Sequence, residues 1–313
     1  MELYQHKQII AVIEQLASTH LQGKVRAIRV ALVGLLSGGH LLIEDIPGLG
    51  KTSLALALAG ILGLDFGRIQ CTSDLLPSDI TGLSILDRES NGFHFVKGPI
   101  FNNLVLVDEV NRTMPKTQSA MLEAMEERRV TVEGVTYRLP DPFMVIATQN
   151  PVEQVGTFPL PESQLDRFLL TTGIGYPPAD LEKSIIQRGS VREELEHISP
   201  LLEREKIIET RNFIRDEIRL SDRVADYIYT ILDRSRSDSR IMSGISTRGG
   251  LGLAAAARAE AYLEGRDYVV PEDVQRIAVP VASHRMILQP DFESLGKDEV
   301  LLSLLAEIPV PIA

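Results

Sequence analysis

The 313-residue sequence predicts an α/β fold, a parallel sheet covered by helices on both faces and followed by an all-helical C-terminal region. Three observations carry that prediction. Five short runs that are apolar on both faces alternate with helix-length segments from His40 to Ile174. A glycine-rich turn, Asp45-Ile46-Pro47-Gly48-Leu49-Gly50, joins the first run to an apolar helical stretch. Beyond Gly175 the pattern becomes helical throughout.

Taken in order, Ile9, Ile10, Ile13 and Leu16, then Val25, Ile28 and Leu32, lie at helical spacing broken near Gly23, which predicts two helices leading into a core. The strands follow at Leu41–Glu44, Arg68–Cys71, Leu104–Val107, Phe143–Thr148 and Leu169–Ile174, with a helix at Leu54–Leu62 after the first. Two inserts break that rhythm. Ser84–Leu86 and Phe93–Val96 flank Asn91-Gly92, and Val130–Val132 and Val135–Tyr137 flank Glu133-Gly134, so each pair reads as a hairpin. Helices are predicted through Leu202–Ile214, Asp222–Leu232 and Arg248–Leu263, with the polar run Asp233–Arg240 as a solvated loop. Gly175–Pro178 marks the domain boundary, giving a helical lead at 1–22, an α/β core at 23–175 and a helical domain at 176–313.

Composition narrows the function classes. Lys and Arg total 32 against 43 for Asp and Glu, a formal charge of −11, which argues against a nonspecific grip on nucleic acid. A single cysteine, Cys71, excludes an internal disulfide and a multi-cysteine metal centre, and reads as packing. The six histidines are scattered at 6, 20, 40, 94, 197 and 284, without metal-ligand spacing. No stretch approaches 18 uninterrupted apolar residues and the first residues do not read as a signal peptide. The expectation is a soluble cytoplasmic protein without membrane insertion.

Chemistry concentrates where buried strands end. Strand, glycine loop, Gly50-Lys51-Thr52 and helix is the order a phosphate cradle needs. Gly48 and Gly50 let backbone N–H groups face a phosphate chain at a helix N-terminus, Lys51 supplies a point charge, and Thr52 can offer a hydroxyl to Mg²⁺. Pro47, Gly48, Leu49, Gly50, Lys51, Thr52 and Ser53 are the predicted nucleotide-binding residues. The full phosphate-loop pattern has glycine where this chain has Asp45, whose carboxylate must turn away from the phosphates or be neutralised. Leu104-Val105-Leu106-Val107 ends in Asp108-Glu109, two carboxylates at the tip of a buried strand, the edge where open α/β sheets bind ligands. Asp108 is assigned to Mg²⁺ and Glu109 to polarising the water that attacks the γ-phosphate. The strand Phe143–Thr148 delivers Asn150 to the same edge, either to hydrogen-bond the γ-phosphate or orient the lytic water, or as a turn residue before Pro151.

The chain is similar to the MoxR-type AAA+ ATPases. The resemblance rests on the glycine loop, Asp74-Leu75-Leu76-Pro77-Ser78-Asp79-Ile80-Thr81-Gly82, Lys97-Gly98-Pro99-Ile100-Phe101, Val107-Asp108-Glu109-Val110-Asn111-Arg112 and Leu160-Pro161-Glu162-Ser163-Gln164-Leu165-Asp166-Arg167-Phe168. It implies a P-loop core with a C-terminal lid, with Asn150 as sensor 1, Arg167 as the arginine finger and Arg248 in Ser246-Thr247-Arg248 as sensor 2. There the family usually has Ser-Pro-Arg, and Thr247 is expected to cap the helix instead. The resemblance further implies Mg-ATP hydrolysis in a homo-hexameric ring and chaperone-like work on client proteins, including a partner with a von Willebrand factor type A domain. It makes the two hairpins pore or client-contact elements. Arg112, Arg128, Arg129 and Arg167 each have an alternative reading as ion-pair partners; the Leu165-Asp166-Arg167-Phe168 setting favours Arg167 as the finger, and Arg128 and Arg129 are candidates for a subunit interface. Two other classes stay open, a nucleic-acid motor or loader and a nucleotide-gated binding protein with little turnover.

Overall fold

The computed structural model describes residues 3–87, 92–152, 155–188, 195 and 197–311. Its centre is a five-stranded sheet of β1 (Leu41–Glu44), β2 (Phe66–Gln70), β5 (Leu104–Asp108), β8 (Met144–Gln149) and β9 (Leu170–Thr172), in the order β2-β5-β8-β1-β9. Every neighbouring pair is parallel, so all five C-terminal ends share one edge. The strands alternate between two apolar cores. Leu41, Ile43, Leu104, Leu106, Met144 and Ile146 enter one, while Leu42, Val105, Val107, Val145 and Ala147 enter the other. A strand wholly buried on both faces reads as a continuous apolar run because each face has its own covering layer.

The first core is covered by α1 (His6–Gln15), α2 (Val25–Leu36), α3 (Lys51–Ile61) and the C-terminal helices. The second is covered by α4 (Pro77–Thr81) and α5 (Pro115–Glu127), through Ile80, Met121, Leu122, Ala124 and Met125. Pro115 suits the first helical position of α5, and Arg128, at φ 51°, ends it in the left-handed region. Both inserts are antiparallel hairpins, β3 (Gly82–Asp87) with β4 (Gly92–Lys97) and β6 (Arg129–Val132) with β7 (Val135–Arg138). Asn91 of the first turn lies outside the described residues. The hairpins touch, since the Phe95 and Tyr137 rings stack with centroids 4.2 Å apart.

A short α6 (Glu162–Leu165) precedes β9, and after that strand the described chain continues through α7 (Ala179–Arg188), α8 (Arg204–Glu217), α9 (Asp222–Ser237), α10 (Thr247–Leu263), α11 (Pro271–Ala282) and α12 (Lys297–Glu307). A short ribbon of β10 (Ile241–Ser243) and β11 (Ile287–Leu288) is added to these helices. The loop expected over Asp233–Arg240 is mostly helix. Residues 233–237 complete α9, because Arg, Asp and Ser there carry no helix breaker and Arg234 and Arg236 sit favourably in the last turn. Ser246, not Thr247, caps α10, its hydroxyl accepting the Gly249 N–H at 3.1 Å. No described helix is long and apolar enough to cross a membrane.

Candidate functional site

Parallel strands bring the ends of β1, β8 and β5 side by side. Glu44 is level with Gln149, Val107 with Ala147, and the Asp45 N–H continues the ladder to Gln149 O at 3.2 Å. From this edge the loop 45–50 rises into α3. Gly48 and Gly50 have φ of 87° and 94°, and a Cβ built on either meets no atom closer than 3.9 Å. Backbone torsion, rather than crowding, therefore demands glycine, and the loop's inner side is open enough for a phosphate chain. Gly50 is the residue before α3, so the helix's unpaired N–H groups open onto the same space.

Lys51, the first residue of α3, turns back over the edge. Its ammonium donates to Asp45 O and, at 3.4 Å, to Gln149 O. Burial lowers its pKa, opposed in turn by the charges of Asp45, Asp108 and Glu109, so the three acids lie within electrostatic reach of this cation. The Asp45 carboxylate points the other way. Its Oδ1 accepts the Ile46 N–H at 2.9 Å, and its Oδ2 accepts the N–H groups of Ile174 and Gly175 at 2.8 and 2.7 Å. The carboxylate oxygens of Asp45 are thus satisfied by backbone donors, those of the Ile174–Gly175 segment among them.

Asp108 is buried at the tip of β5 and takes the Arg68 guanidinium at 2.8 Å. Glu109 leaves the strand at φ 57°, a left-handed conformation that costs a non-glycine residue about 1 kcal/mol or more and tends to persist where surroundings enforce it. Thr148 of β8 enforces it here, its hydroxyl accepting the Glu109 N–H at 2.9 Å. The Glu109 carboxylate pairs with Arg112 at 3.0 Å and accepts from Gln70 Nε2 at 3.5 Å. A carboxylate at Asp108 and a hydroxyl at Thr52 are oxygen donors of the kind a hard ion such as Mg²⁺ takes. Asn150 follows β8, and its Oδ1 accepts the Val152 N–H at 3.2 Å, so in this state the turn role is the one displayed.

Arg167 and Arg248 gather elsewhere. Arg167 pairs with Glu126 of α5 at 2.8 Å and donates to Leu122 O, and Arg248, in the first turn of α10, pairs with the same carboxylate. The hydrogen bond from Arg248 is the main cause that lowers the Glu126 pKa. Among the described residues, the ion pairs of these two arginines are with α5 and not with the loop. Arg128 donates to Gly38 O within the chain at 2.7 Å, and Arg129 pairs with Glu127. Cys71 is buried and its thiol is pushed up to about 12, chiefly by burial, as a packing residue requires. No group of three or more His, Cys, Asp or Glu side chains placed to hold a metal ion occurs among the described residues.

Sequence reasoning missed Arg68, Gln70 and Glu126. The first two carried a signal, since Arg68 and Gln70 stand at alternate positions of a strand and so share one face; the register that sets Gln70 level with Asp108 is seen only in the fold. Glu126 carried none, because only the tertiary fold brings it to arginines from two distant segments.

A parallel sheet with a Gly-Lys-Thr loop at its C-terminal edge, running into a helix, defines a P-loop nucleotide-binding protein. The ATPase family associated with various cellular activities (AAA) matches residues 40–170, and the AAA lid domain matches residues 233–303. Chaperone MoxR1 of Mycobacterium tuberculosis is 37% identical over 304 residues, covering 92% of this chain and 79% of its own. An uncharacterized protein of Bacillus subtilis, YeaC, is 45% identical over 285 residues, covering 90% and 89%. A crystal structure of a candidate ATPase from Cytophaga hutchinsonii superimposes with a TM-score of 0.90 at 36% identity, over 99% of this chain and 96% of that one. The chain belongs to the MoxR-type branch of the AAA ATPases.

Proposed function

We propose that this chain binds and hydrolyses Mg-ATP at the C-terminal edge of its sheet and couples that cycle to the remodelling of partner proteins. The observation that carries the reading is the convergence on Lys51, where an open glycine loop, a helix N-terminus, Asp108 and Glu109 meet. Residues 47–53 hold the phosphates through backbone N–H groups and the Lys51 ammonium. Thr52 and Asp108 hold Mg²⁺, which supplies charge neutralisation across the phosphates when bound. Glu109 orients a water and takes its proton as that water bonds to the γ-phosphorus and the bond to the β–γ bridging oxygen breaks, releasing ADP and phosphate. Asn150 orients the same water as sensor 1.

Arg167 acts as the finger and Arg248 as sensor 2, and in this reading Arg167 serves ATP held by a neighbouring subunit of a homo-hexamer. Residues 1–22, 23–175 and 176–313 are lead, core and lid. The chaperone name of one relative supports protein clients, and the family resemblance supports a von Willebrand factor type A partner and a cytoplasmic setting. Phosphate release from ATP, followed with Mg²⁺ and with excess chelator, tests the reading. Hydrolysis that needs Mg²⁺ and is not stimulated by single-stranded DNA is expected, whereas a folded chain that binds no ATP by calorimetry would overturn it.

A further inference from the structure

We infer that Asp45 and Lys24 clamp the Ile174–Gly175 segment and make it the mechanical link between the phosphate loop and the C-terminal helical part. The inference rests on the nucleotide-binding reading of the loop and goes beyond it, since Asp45 occupies the place where the phosphate-loop pattern has glycine. One carboxylate oxygen of Asp45 accepts two successive N–H groups, from Ile174 at 2.8 Å and Gly175 at 2.7 Å. On the same segment the Lys24 ammonium, which stands just before α2, donates to Gly175 O and, at 3.4 Å, to Ile174 O. The segment's donors are therefore held by an anion and its acceptors by a cation. Hydrogen bonds to charged groups are about twice as strong as neutral ones.

A third contact closes the clamp. Gly23, at φ 75°, lies so close to Pro178 that a Cβ built on it would stand 2.8 Å from Pro178 Cδ, so the chain leading into α7 is pressed against the turn that carries Lys24. The opposite side of Asp45 faces the nucleotide loop, because Asp45 O accepts from Lys51. A phosphate that draws the Lys51 ammonium acts directly on the peptide whose side chain holds the segment. Asp45 is thus a positioning residue rather than a catalytic one, and glycine at this place would keep the loop while severing the link.

Amide hydrogen exchange at Ile174 and Gly175, with and without the non-hydrolysable analogue AMP-PNP and Mg²⁺, tests the clamp in the full chain and in the Asp45→Gly and Lys24→Gln variants. Calorimetry gives each variant's affinity for the analogue. In the wild type both amides should exchange slowly, and slower still, by about threefold or more, once the analogue orders the loop. Asp45→Gly should exchange about tenfold faster or more, lose the response to analogue, and still bind it within about threefold of wild-type affinity. Lys24→Gln, whose change is remote from the loop, should speed exchange at the same amides by about threefold or more. Binding of analogue by Asp45→Gly with wild-type exchange and wild-type response overturns the clamp. If Asp45→Gly fails to fold, unchanged exchange and response in Lys24→Gln overturn it instead. A wild type that binds no analogue contradicts the proposed function, and the comparison of exchange rates without analogue still decides the clamp.

Discussion

Lys51 is held by two main-chain carbonyls at the ends of β1 and β8, in a setting where burial disfavours its charge and three carboxylates oppose that effect in part. The ammonium is therefore held at the loop, and in the proposed reading a phosphate would replace its carbonyl partners. It is the sole side-chain cation of the loop 45–53. Lys51→Ala is expected to abolish nucleotide binding, read as the absence of ATP heat in calorimetry with the fold intact by circular dichroism. Undiminished affinity would mean that the loop is not the site. The two strand-end acids each face an arginine, Asp108 facing Arg68 at 2.8 Å and Glu109 facing Arg112 at 3.0 Å.

Contacts between elements set the pH response and the behaviour of the hairpins. His40, just before β1, has Nδ1 accepting the Val145 N–H at 2.9 Å and Nε2 facing Met125 O at 3.1 Å, partners that assign the proton to Nε2 and tie α5 to the sheet. Burial is the first cause that lowers its pKa from 6.5 to about 4, and likewise that of His284 from 6.5 to about 3. Both folded values lie below the unfolded one, so the native state binds fewer protons over that interval. Their contribution is full above pH 6.5 and is lost as the pH falls toward 4 and 3. The unfolding free energy from urea titration should fall between pH 7 and pH 5, by up to about 2 kcal/mol for each histidine, and His40→Gln should flatten that slope. A midpoint independent of pH over this range would contradict the assignment. The Phe95–Tyr137 stack joins the two hairpins, and a double-mutant cycle with alanine at both positions should return a coupling of about 0.5–1.5 kcal/mol. A coupling near zero would leave the hairpins independent. The same scale separates what was legible from what was not. Strand cores and the glycine loop were readable because burial on both faces and a Gly-Lys-Thr turn are local patterns, and β1 matched residue for residue. The extra turns of α9 were hidden because polar residues without a breaker fit a loop and a solvated helix end equally well. The Asp45 contacts with Ile174 and Gly175, and the Glu126 pairing with Arg167 and Arg248, join residues far apart in sequence, and no local period announces them.

In the whole molecule, one apolar core runs from the sheet through α2 into the C-terminal helices, so the part that carries Arg248 is packed against the part that carries Lys51. Arg167 and Arg248, drawn from opposite sides of the core–lid boundary, share the Glu126 carboxylate. That arrangement presents two guanidinium groups together while the acids and loop lie along the sheet edge. If the finger is supplied to a neighbouring subunit, Arg167→Ala should bind ATP nearly normally and hydrolyse it poorly, by up to about 10³-fold. Mixing Arg167→Ala with Lys51→Ala should then restore part of the activity, because some interfaces pair an intact loop with an intact finger. A mixture that stays inactive despite proven subunit exchange would contradict supply in trans. The most direct measurement for the account as a whole is phosphate release by Glu109→Gln, with Mg-ATP affinity determined on the same samples. The amide keeps the shape of the side chain and leaves Asp108 in place, so affinity should stay at the wild-type level while turnover falls by about 10²–10⁴-fold. Wild-type turnover in that variant would contradict the claim that the edge where Lys51, Asp108 and Glu109 meet is the site of ATP hydrolysis.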